Sequence, residues 1–237
     1  MKYFITGGCG FIGTNLALSF SKQNCKDILI LDNLSKITAN KNLSLLKRRN
    51  ISFAKIDIGK SKQKIEKLIK QHKPKVIFHL AGQVAMSTSL KNPDLDFQGN
   101  VLSTINLLES IRKFSKKTVL IFSSTNKVYG DLKNFSYFEK KTRFSIKNNF
   151  KGFSEKNTLD FKSPYACSKG SADQYVLDYA RVFNLNTIVF RHSSVYGGRQ
   201  FFTYDQGWVG WFCAQAIKHK LLKKSKFSIT GNGKQVR

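Results

Sequence analysis

Apolar positions along the chain fall into short runs that alternate with longer amphipathic stretches. Runs suited to strands lie at 2–6, 27–32, 51–56, 75–81, 118–124, 186–192 and 226–230. Helical spacing is found between them, near 11–23, 61–72, 94–114, 165–183 and 207–220. Strands that are apolar almost throughout and are separated by helices are typical of a parallel sheet covered on both faces. The pattern therefore predicts an α/β fold with a doubly wound parallel sheet.

Two stretches depart from this alternation. The stretch 130–163 is polar and lysine-rich, and we interpret it as one long irregular loop, which in a compact domain is more often functional than idle. The chain ends at "GNGKQVR", directly after the last predicted strand. We therefore expect a first domain over 1–192 and the incomplete start of a second over 193–237.

Composition points to a packed, intracellular protein. Of 237 residues, 41% are hydrophobic and only 3 are proline, which suits a globular chain. The apolar runs are too short to cross a membrane, and no signal peptide precedes "KYFITGGCGFIG", so we expect a cytoplasmic location. The cysteines and histidines are scattered without ligand spacing, which indicates reduced thiols and no metal site.

The net charge of +27 raises the possibility of a nucleic-acid partner. The lysines, however, are spread over the whole chain as single residues and short pairs, and no nucleic-acid-binding module accompanies them. We therefore favour a solvated basic surface and an anionic small-molecule substrate, and expect no nucleic-acid or membrane partner.

A glycine-rich segment, "TGGCGFIG", follows the first predicted strand. Gly7, Gly10 and Gly13 have the spacing GxxGxxG, and Phe11 and Ile12 open the helix that follows. Glycines here let the backbone turn tightly and approach a pyrophosphate at the helix N-terminus. Taken alone, such a glycine trio is more often a merely tight strand–helix turn than a binding motif.

The ends of the next strands favour a dinucleotide. Asp32 ends the second strand, 19 residues after Gly13, where a carboxylate can accept the ribose hydroxyls and repel a 2′-phosphate. Beside it stands Asn33, and the later strands end at Asp57-Ile58 and Leu80-Ala81. These positions predict NAD, in preference to NADP, as the cofactor.

A second group of polar residues follows the fifth strand. "SSTNKVYG" places Ser123 and Thr125 at the sheet edge where ligands bind in open α/β sheets. Tyr165 and Lys169 come later, one helical turn apart. A tyrosine is a poor base at neutral pH, and a neighbouring cation together with the nicotinamide ring lowers its pKa. We predict Tyr165 as base, Lys169 as the residue that lowers its pKa, and Thr125 as the hydroxyl that steers the proton.

These motifs resemble the extended short-chain dehydrogenase/reductases that act on nucleotide sugars. "TGGCGFIG", "HLAGQ", "SSTNKVYG" and "YACSK" carry the resemblance, which extends over essentially the whole chain. It implies a Rossmann-type fold, tightly held NAD and a nucleotide-diphosphate-sugar substrate. It also implies a homo-oligomer, for which helices 94–114 and 165–183 are candidates.

The resemblance assigns further residues to the site. Those implied for the cofactor, besides the residues above, are Gln83, Asn100, Ser123 and His192. Those implied for the substrate are Gln83, Thr125, Ser194, Arg199, Gln200, Tyr204, Gln206 and Arg237. The segment 193–237 would then begin a substrate-binding domain.

Longer strings narrow the expected activity. "GFSEKNTLDFKSPYACSKGSADQYVLDYAR" and "FRHSSVYGGRQFFTYDQGWVGWF" resemble epimerases that invert C2 of a CDP-linked sugar in O-antigen synthesis. Related 4,6-dehydratases usually carry an acidic pair where this chain has Asn126-Lys127, and 4-epimerases commonly carry asparagine in place of Ser194. Another epimerase, a dehydratase, a reductase and an inactive NAD-binding fragment remain as alternatives. Cys167 is not assigned as a nucleophile, because no base stands beside it in sequence.

Overall fold

The computed structural model describes residues 1–36, 38–132, 135–146, 152–203 and 206–222. The strands are β1 (Tyr3–Thr6), β2 (Ile28–Asp32), β3 (Ser52–Lys55), β4 (Val76–His79), β5 (Val119–Thr125), β6 (Tyr137–Glu139), β7 (Phe144–Ile146) and β8 (Asn186–His192). The helices are α1 (Phe11–Lys22), α2 (Ala39–Arg48), α3 (Lys62–His72), α4 (Met86–Lys91), α5 (Pro93–Asp96), α6 (Ser103–Phe114), α7 (Pro164–Phe183) and α8 (Trp208–Leu222). The predicted strand at 226–230, Tyr204 and Arg237 lie outside the described residues.

Six parallel strands form one sheet in the order β3-β2-β1-β4-β5-β8. Tyr3 of β1 lies between Ile28 of β2 and Val76 of β4. The sheet therefore extends to both sides of β1, first through β2 and β3 and then through β4, β5 and β8. The point where strand order reverses opens a crevice at the carboxyl ends of the strands, which is where such sheets bind ligands. The predicted doubly wound α/β fold is confirmed.

Helices cover both faces of the sheet. On one face, Leu107 and Ile111 of α6 and Val176 of α7 belong to a buried cluster with the strands. On the other, Ala17 of α1 and Leu46 of α2 belong to a second cluster. Burial on both faces explains why the central strands are apolar at nearly every position.

The helical stretch predicted at 94–114 contains an irregularity. It consists of α5, a π-helical turn at Phe97–Leu102, and α6, which follow one another without a break. A π turn shifts the register of a helix and is frequent at functional sites. None of the helices in the described parts of the chain is long and apolar enough to cross a bilayer.

Four elements of the described chain were not predicted: the helices α2 and α4 and the strands β6 and β7. Helix α2 buries only Leu43 and Leu46 among its larger apolar side chains, and the helix is otherwise rich in lysine and asparagine, so its apolar period is short. Helix α4 is a six-residue segment. The stretch 130–163, interpreted as one irregular loop, contains an antiparallel hairpin of β6 and β7, so that prediction is wrong in part.

Candidate active site

The glycine turn after β1 is held by close backbone contacts. Gly7 has φ +64°, and a Cβ there would lie 2.7 Å from the amide nitrogen of Ala81. A Cβ on Gly13 would lie 2.6 Å from the Cα of Gly8. Glycine is therefore required at both positions by space, and at Gly7 also by conformation.

Helix α1 presents an open N-terminus at this turn. Its N-cap is Gly10, which supplies no side-chain hydrogen bond, and no acidic residue stands in the first turn. The first backbone N–H groups, at Phe11, Ile12 and Gly13, have no partner within the helix. These donors and the positive end of the helix dipole suit an anion such as a pyrophosphate.

Asp32 is fixed beside the glycine turn. Its Oδ2 accepts the Cys9 N–H at 3.0 Å and its Oδ1 accepts the Leu34 N–H at 2.8 Å. Burial raises the pKa of Asp32, while these two hydrogen bonds and the charge of Lys36 act in the opposite direction. The carboxylate retains lone pairs for further donors such as ribose hydroxyls.

The other residues predicted near the adenosine take different positions. Asn33 donates through Nδ2 to Asp57 Oδ2 at 2.9 Å, in the turn that follows β3. The Ile58 side chain is buried in the hydrophobic core, so a cofactor contact from it stays a prediction. The N–H groups of Leu80 and Ala81 both donate to a threonine hydroxyl of β1, which places this crossing directly beside the glycine turn.

Asn100 lies in the π turn and is 1% exposed. Its Oδ1 accepts the Gln83 N–H at 3.0 Å, and its Nδ2 donates to the Gln83 carbonyl at 3.1 Å and to Ser168 Oγ at 2.9 Å. Since Ser168 belongs to α7, the amide group joins the crossing after β4 to the helix that carries Tyr165. Asn100 is thus a junction between the predicted cofactor and catalytic residues.

The Gln83 side chain makes three hydrogen bonds within the protein. Its Nε2 donates to the Ala85 carbonyl at 2.9 Å and to Asp96 Oδ1 at 2.8 Å, and its Oε1 accepts the Ala85 N–H. Both amide hydrogens are therefore used. A direct contact of Gln83 with cofactor or substrate stays a prediction. A hydrogen bond donated by its side chain would require one of these bonds to be exchanged, whereas Oε1 retains a lone pair.

Thr125 and Tyr165 are brought together as predicted. Thr125 ends β5, and α7 begins at Pro164 with Ser163 as its N-cap. The Thr125 and Tyr165 side chains lie within reach of each other. Burial is the largest influence on the Tyr165 pKa and raises it, the neighbouring Thr125 hydroxyl lowers it, and the charge of Asp96 raises it. For the chain alone, the net direction is opposite to the predicted lowering.

Lys169 lies deep in the site and is 4% exposed. Burial lowers its pKa to about 7, against which the charge of Asp173 acts. Its Nζ stands 4.2 Å from the centroid of the Phe122 ring. Among the described residues, no acceptor hydrogen-bonds this nitrogen. Because buried donors are almost always satisfied, the position suits a ligand hydroxyl.

A buried histidine connects the strands to the π turn. His79 Nδ1 lies 2.8 Å from Thr6 Oγ1, and its Nε2 lies 3.0 Å from Thr104 Oγ1. Thr104 in turn donates to the Asn100 carbonyl at 2.6 Å. Burial, followed by the charge of Lys169, lowers the pKa of His79 to about 3. The imidazole is therefore neutral at physiological pH and acts as a fixed hydrogen-bonding link.

Asp173 organises the base of the site and was not predicted. Its Oδ2 accepts from Ser124 Oγ at 2.7 Å, and Arg191 binds it with Nε and Nη2, both at 2.9 Å. Arg191 also donates to the Tyr129 hydroxyl at 2.8 Å. The signal that could have identified Asp173 is its place one helical turn after Lys169.

Two predicted cofactor residues lie on neighbouring strands beside this group. In the β5–β8 ladder, Ser123 is paired with Phe190, and Thr125 is paired with His192. Burial and the charge of Lys169 lower the pKa of His192. The structure therefore places His192 within electrostatic reach of Lys169.

Of the substrate candidates that follow β8, Arg199 lies beside α1 and Gln206 lies beside the loop after β2. Arg199 lines a surface cleft with Lys22 and Arg49, and Gln206 accepts a hydrogen bond from Lys36 at 2.9 Å. Ser194 is exposed, and Gln200 donates to a nearby backbone carbonyl. In the described segments, no hydrogen bond or ion pair links these side chains to Tyr165, and their substrate roles stay predictions.

Comparison with known proteins gives consistent results. The family model of GDP-mannose 4,6 dehydratase matches residues 4–237. A CDP-paratose 2-epimerase of Salmonella typhi is 54% identical over all of this chain, which spans 70% of that protein. A UDP-glucose 4-epimerase structure of Thermotoga maritima, with UDP-glucose, has a TM-score of 0.75 and 30% identity over 98% of this chain and 67% of its own.

A third relative, a UDP-glucose 4-epimerase of Thermus thermophilus, was solved as a complex with NAD. Its TM-score is 0.75, with 28% identity over 92% of this chain. The matched region is 63% of that protein, so the chain spans slightly less than two thirds of its length.

Proposed function

The chain belongs to the GDP-mannose 4,6 dehydratase family of short-chain dehydrogenase/reductases, and from that premise we propose that it is an NAD-dependent nucleotide-sugar epimerase. The observation that carries the proposal is that Thr125, at the end of β5, lies beside the Tyr165 phenol, with Lys169 buried one turn further along α7. This is the arrangement required to move a proton between a sugar hydroxyl and a phenol.

The residues present suit NAD. The open N-terminus of α1 would take the pyrophosphate, and the fixed carboxylate of Asp32 would accept the adenosine ribose hydroxyls. The buried Lys169 ammonium, which has no acceptor among the described residues, would bind the nicotinamide ribose. When bound, NAD supplies the acceptor and donor of a hydride and a positive charge near the phenol.

The chain's own residues account for the proton movements. The Tyr165 oxygen would take the proton of the reacting sugar hydroxyl, and Thr125 would hold that hydroxyl in line. Because burial and Asp96 keep the Tyr165 pKa high in the chain alone, the phenol is protonated before the ligands arrive. It would release that proton to solvent when the positive nicotinamide ring, together with Lys169, favours the phenolate, and the phenolate would then act as the base. The proton would return from Tyr165 when the sugar carbonyl is reduced on its other face.

The relatives guide the choice of substrate. We propose CDP-paratose, converted to CDP-tyvelose by transient oxidation at C2, because the Salmonella typhi protein of that activity is 54% identical. We further propose that the protein acts in the cytoplasm, as a homo-oligomer, in the synthesis of O-antigen sugars. Besides further copies of the chain itself, the nucleotide sugar is the partner we propose.

Two measurements test the proposal. The first is the amount of NAD released when the purified protein is denatured, for which we expect close to one NAD per chain. The second is conversion of CDP-paratose, followed by NMR of the sugar C2 proton. Tyr165→Phe is expected to keep the NAD and to slow turnover by about 10³-fold, within the range for losing a positioned acid–base group.

The outcomes separate the alternatives. If the protein converts UDP-glucose and not CDP-paratose, the proposed substrate is wrong and the proposed mechanism stands. Retained NAD without turnover of either sugar would indicate an NAD-binding module. A protein that neither retains nor binds NAD would contradict the proposal.

A further inference from the structure

Asp173 is a fully buried carboxylate outside the predicted catalytic group, yet it contacts every element that carries that group. It stands one turn after Lys169 on α7, receives Ser124 Oγ from β5, and receives the Arg191 guanidinium from β8. We propose that Asp173 is a positioning residue that supplies the counter-charge of Lys169 and fixes α7 against the strand that ends at Thr125.

The geometry supports the fixing part of the proposal. Ser124 immediately precedes Thr125, so the 2.7 Å bond from Ser124 Oγ to Asp173 ties the end of β5 to α7. On the same helix, Tyr165 lies two turns before Asp173. The distance between the Thr125 and Tyr165 side chains therefore depends on this hydrogen bond and on the bidentate pair of Asp173 with Arg191. A bidentate pair is the strongest geometry for a carboxylate–guanidinium contact.

The charges around Lys169 support the electrostatic part. Those that face it or its neighbours come from four elements: His79 of β4, His192 and Arg191 of β8, Tyr165 and Asp173 of α7, and Asp96 of α5, which acts on Tyr165. His79 is held neutral, and the charge of Asp96 is engaged by Gln83 and Ser89. Asp173 is thus the carboxylate whose charge favours the protonated form of Lys169.

Arg191 allows the protonation of Lys169 to be shifted in the opposite direction as well. Its guanidinium neutralises part of the Asp173 charge through two hydrogen bonds of 2.9 Å. Removing Arg191 while keeping Asp173 leaves more negative charge for Lys169. Removing both Arg191 and Asp173 takes away this negative charge altogether. The two changes should therefore shift the protonation of Lys169 in opposite directions.

The test is a set of pH-dependent unfolding measurements on the full chain between pH 5 and 10. In each background, the free energy of unfolding with Lys169 is compared with that of the Lys169→Met variant, and the difference reports the titration of Lys169. The backgrounds are wild type, Asp173→Asn, Asp173→Glu, Arg191→Met, and the double variant Asp173→Asn with Arg191→Met. The double variant is the one most able to fold without Asp173, because no unpaired guanidinium remains buried.

We expect the Lys169 midpoint to rise in Arg191→Met. In the double variant it should fall below that of Arg191→Met, with proton binding at least about tenfold weaker, as for loss of a nearby opposite charge. Asp173→Glu should keep most of the wild-type midpoint. Equal midpoints in Arg191→Met and the double variant would overturn the proposal, because a purely structural Asp173 would change stability without moving the titration.

The role of Lys169 in binding NAD rests on the proposed function. A separate measurement therefore distinguishes failure of that function from failure of the role of Asp173. NAD affinity is measured on the same variants across the same pH range. If the midpoint shifts and no variant binds NAD, the role of Asp173 stands and the proposed function fails. If NAD binds and the midpoint is unmoved, the role of Asp173 fails and the proposed function stands.

Discussion

The crevice has a proposed dinucleotide end, at the glycine turn after β1, and a proposed catalytic end, around Tyr165 and Lys169, and the two are built in different ways. At the dinucleotide end, Gly7 and Gly13 allow backbone segments to approach so closely that a single added carbon would collide. At the catalytic end, Lys169, Asp173 and His79 are polar groups removed from water. His79 and Asp173 are held by hydrogen bonds to their neighbours, and the charge of Asp173 acts on Lys169. The dinucleotide end thus depends on close steric fit of the backbone, and the catalytic end depends on charge and hydrogen bonding.

The difference has a consequence for how each end responds to its surroundings. Steric fit does not titrate, so the glycine turn should be indifferent to pH. Buried titratable groups couple stability to proton binding whenever their pKa differs between folded and unfolded chain. The catalytic end should therefore be the pH-sensitive part of the crevice.

The largest expected effect that tests this contrast is at His79. Its folded pKa of about 3 lies below the unfolded value of 6.5, so its contribution to stability is present above pH 6.5 and is lost as pH falls toward 3. The shift corresponds to a loss on the order of 5 kcal/mol. In His79→Gln, the amide can replace part of the hydrogen bonding without titrating. We therefore expect the free energy of unfolding, measured with denaturant from pH 7 to pH 3, to fall less steeply with decreasing pH (the acid limb of the curve) than in wild type.

His72 provides the matched control. It lies at the end of α3 and keeps one edge-on ring contact with Phe4, and the pKa of its imidazole is lowered by burial and by the N-terminal amine. His72→Gln should leave most of the acid limb in place. An acid limb in His79→Gln as steep as in wild type would show that the pH sensitivity comes from elsewhere in the chain.

The next effect is at the glycine turn and should not depend on pH. In Gly13→Ala the added Cβ would lie 2.5 Å from the Gly7 carbonyl oxygen and 2.6 Å from the Gly8 Cα, and backbone cannot move aside easily. We expect the free energy of unfolding to fall by about 3 kcal/mol, as for severe overpacking. Gly10→Ala, where the contact is 3.0 Å from the Gly7 oxygen, should lose clearly less.

Denaturant unfolding at pH 5 and pH 8 checks both variants. The difference between Gly13→Ala and wild type should be the same at the two values, because no titrating group is involved. A loss that varies with pH, or equal losses for Gly10→Ala and Gly13→Ala, would remove the contrast between the two ends.

The two ends also differ in how far the sequence predicts them. The glycine turn, Asp32 and the strand ends could be placed because each is a local motif with a fixed distance along the chain. The predicted strands agree with the observed ones to within one or two residues wherever the structure describes them. Helix α2 and the β6–β7 hairpin were missed because neither has a long apolar period.

At the catalytic end, sequence predicted the pair of Tyr165 and Lys169 and the meeting with Thr125, but not the groups beneath them. Asp173 and Arg191 are 18 positions apart and meet only because α7 packs under β8. The direction of the Tyr165 pKa depends on burial, which spacing along a helix does not reveal. The π turn that carries Asn100 continues the helical pattern on either side of it, so the spacing of apolar residues does not mark it.

The smallest effect concerns the choice of cofactor and sharpens the comparison at the dinucleotide end, where one charge does act. Asp32 is within electrostatic reach of Lys36, so replacing the carboxylate removes the repulsion of a 2′-phosphate and leaves a cation nearby. We expect Asp32→Ser to shift the ratio of NAD to NADP affinity about tenfold toward NADP, or about 1.4 kcal/mol. Asp57→Asn, which keeps the size of a side chain bonded to Asn33, should change both affinities equally. Fluorescence titration with both reduced cofactors gives the ratio, and an unchanged ratio in Asp32→Ser would show that this carboxylate holds the turn through Cys9 and Leu34 without selecting the cofactor.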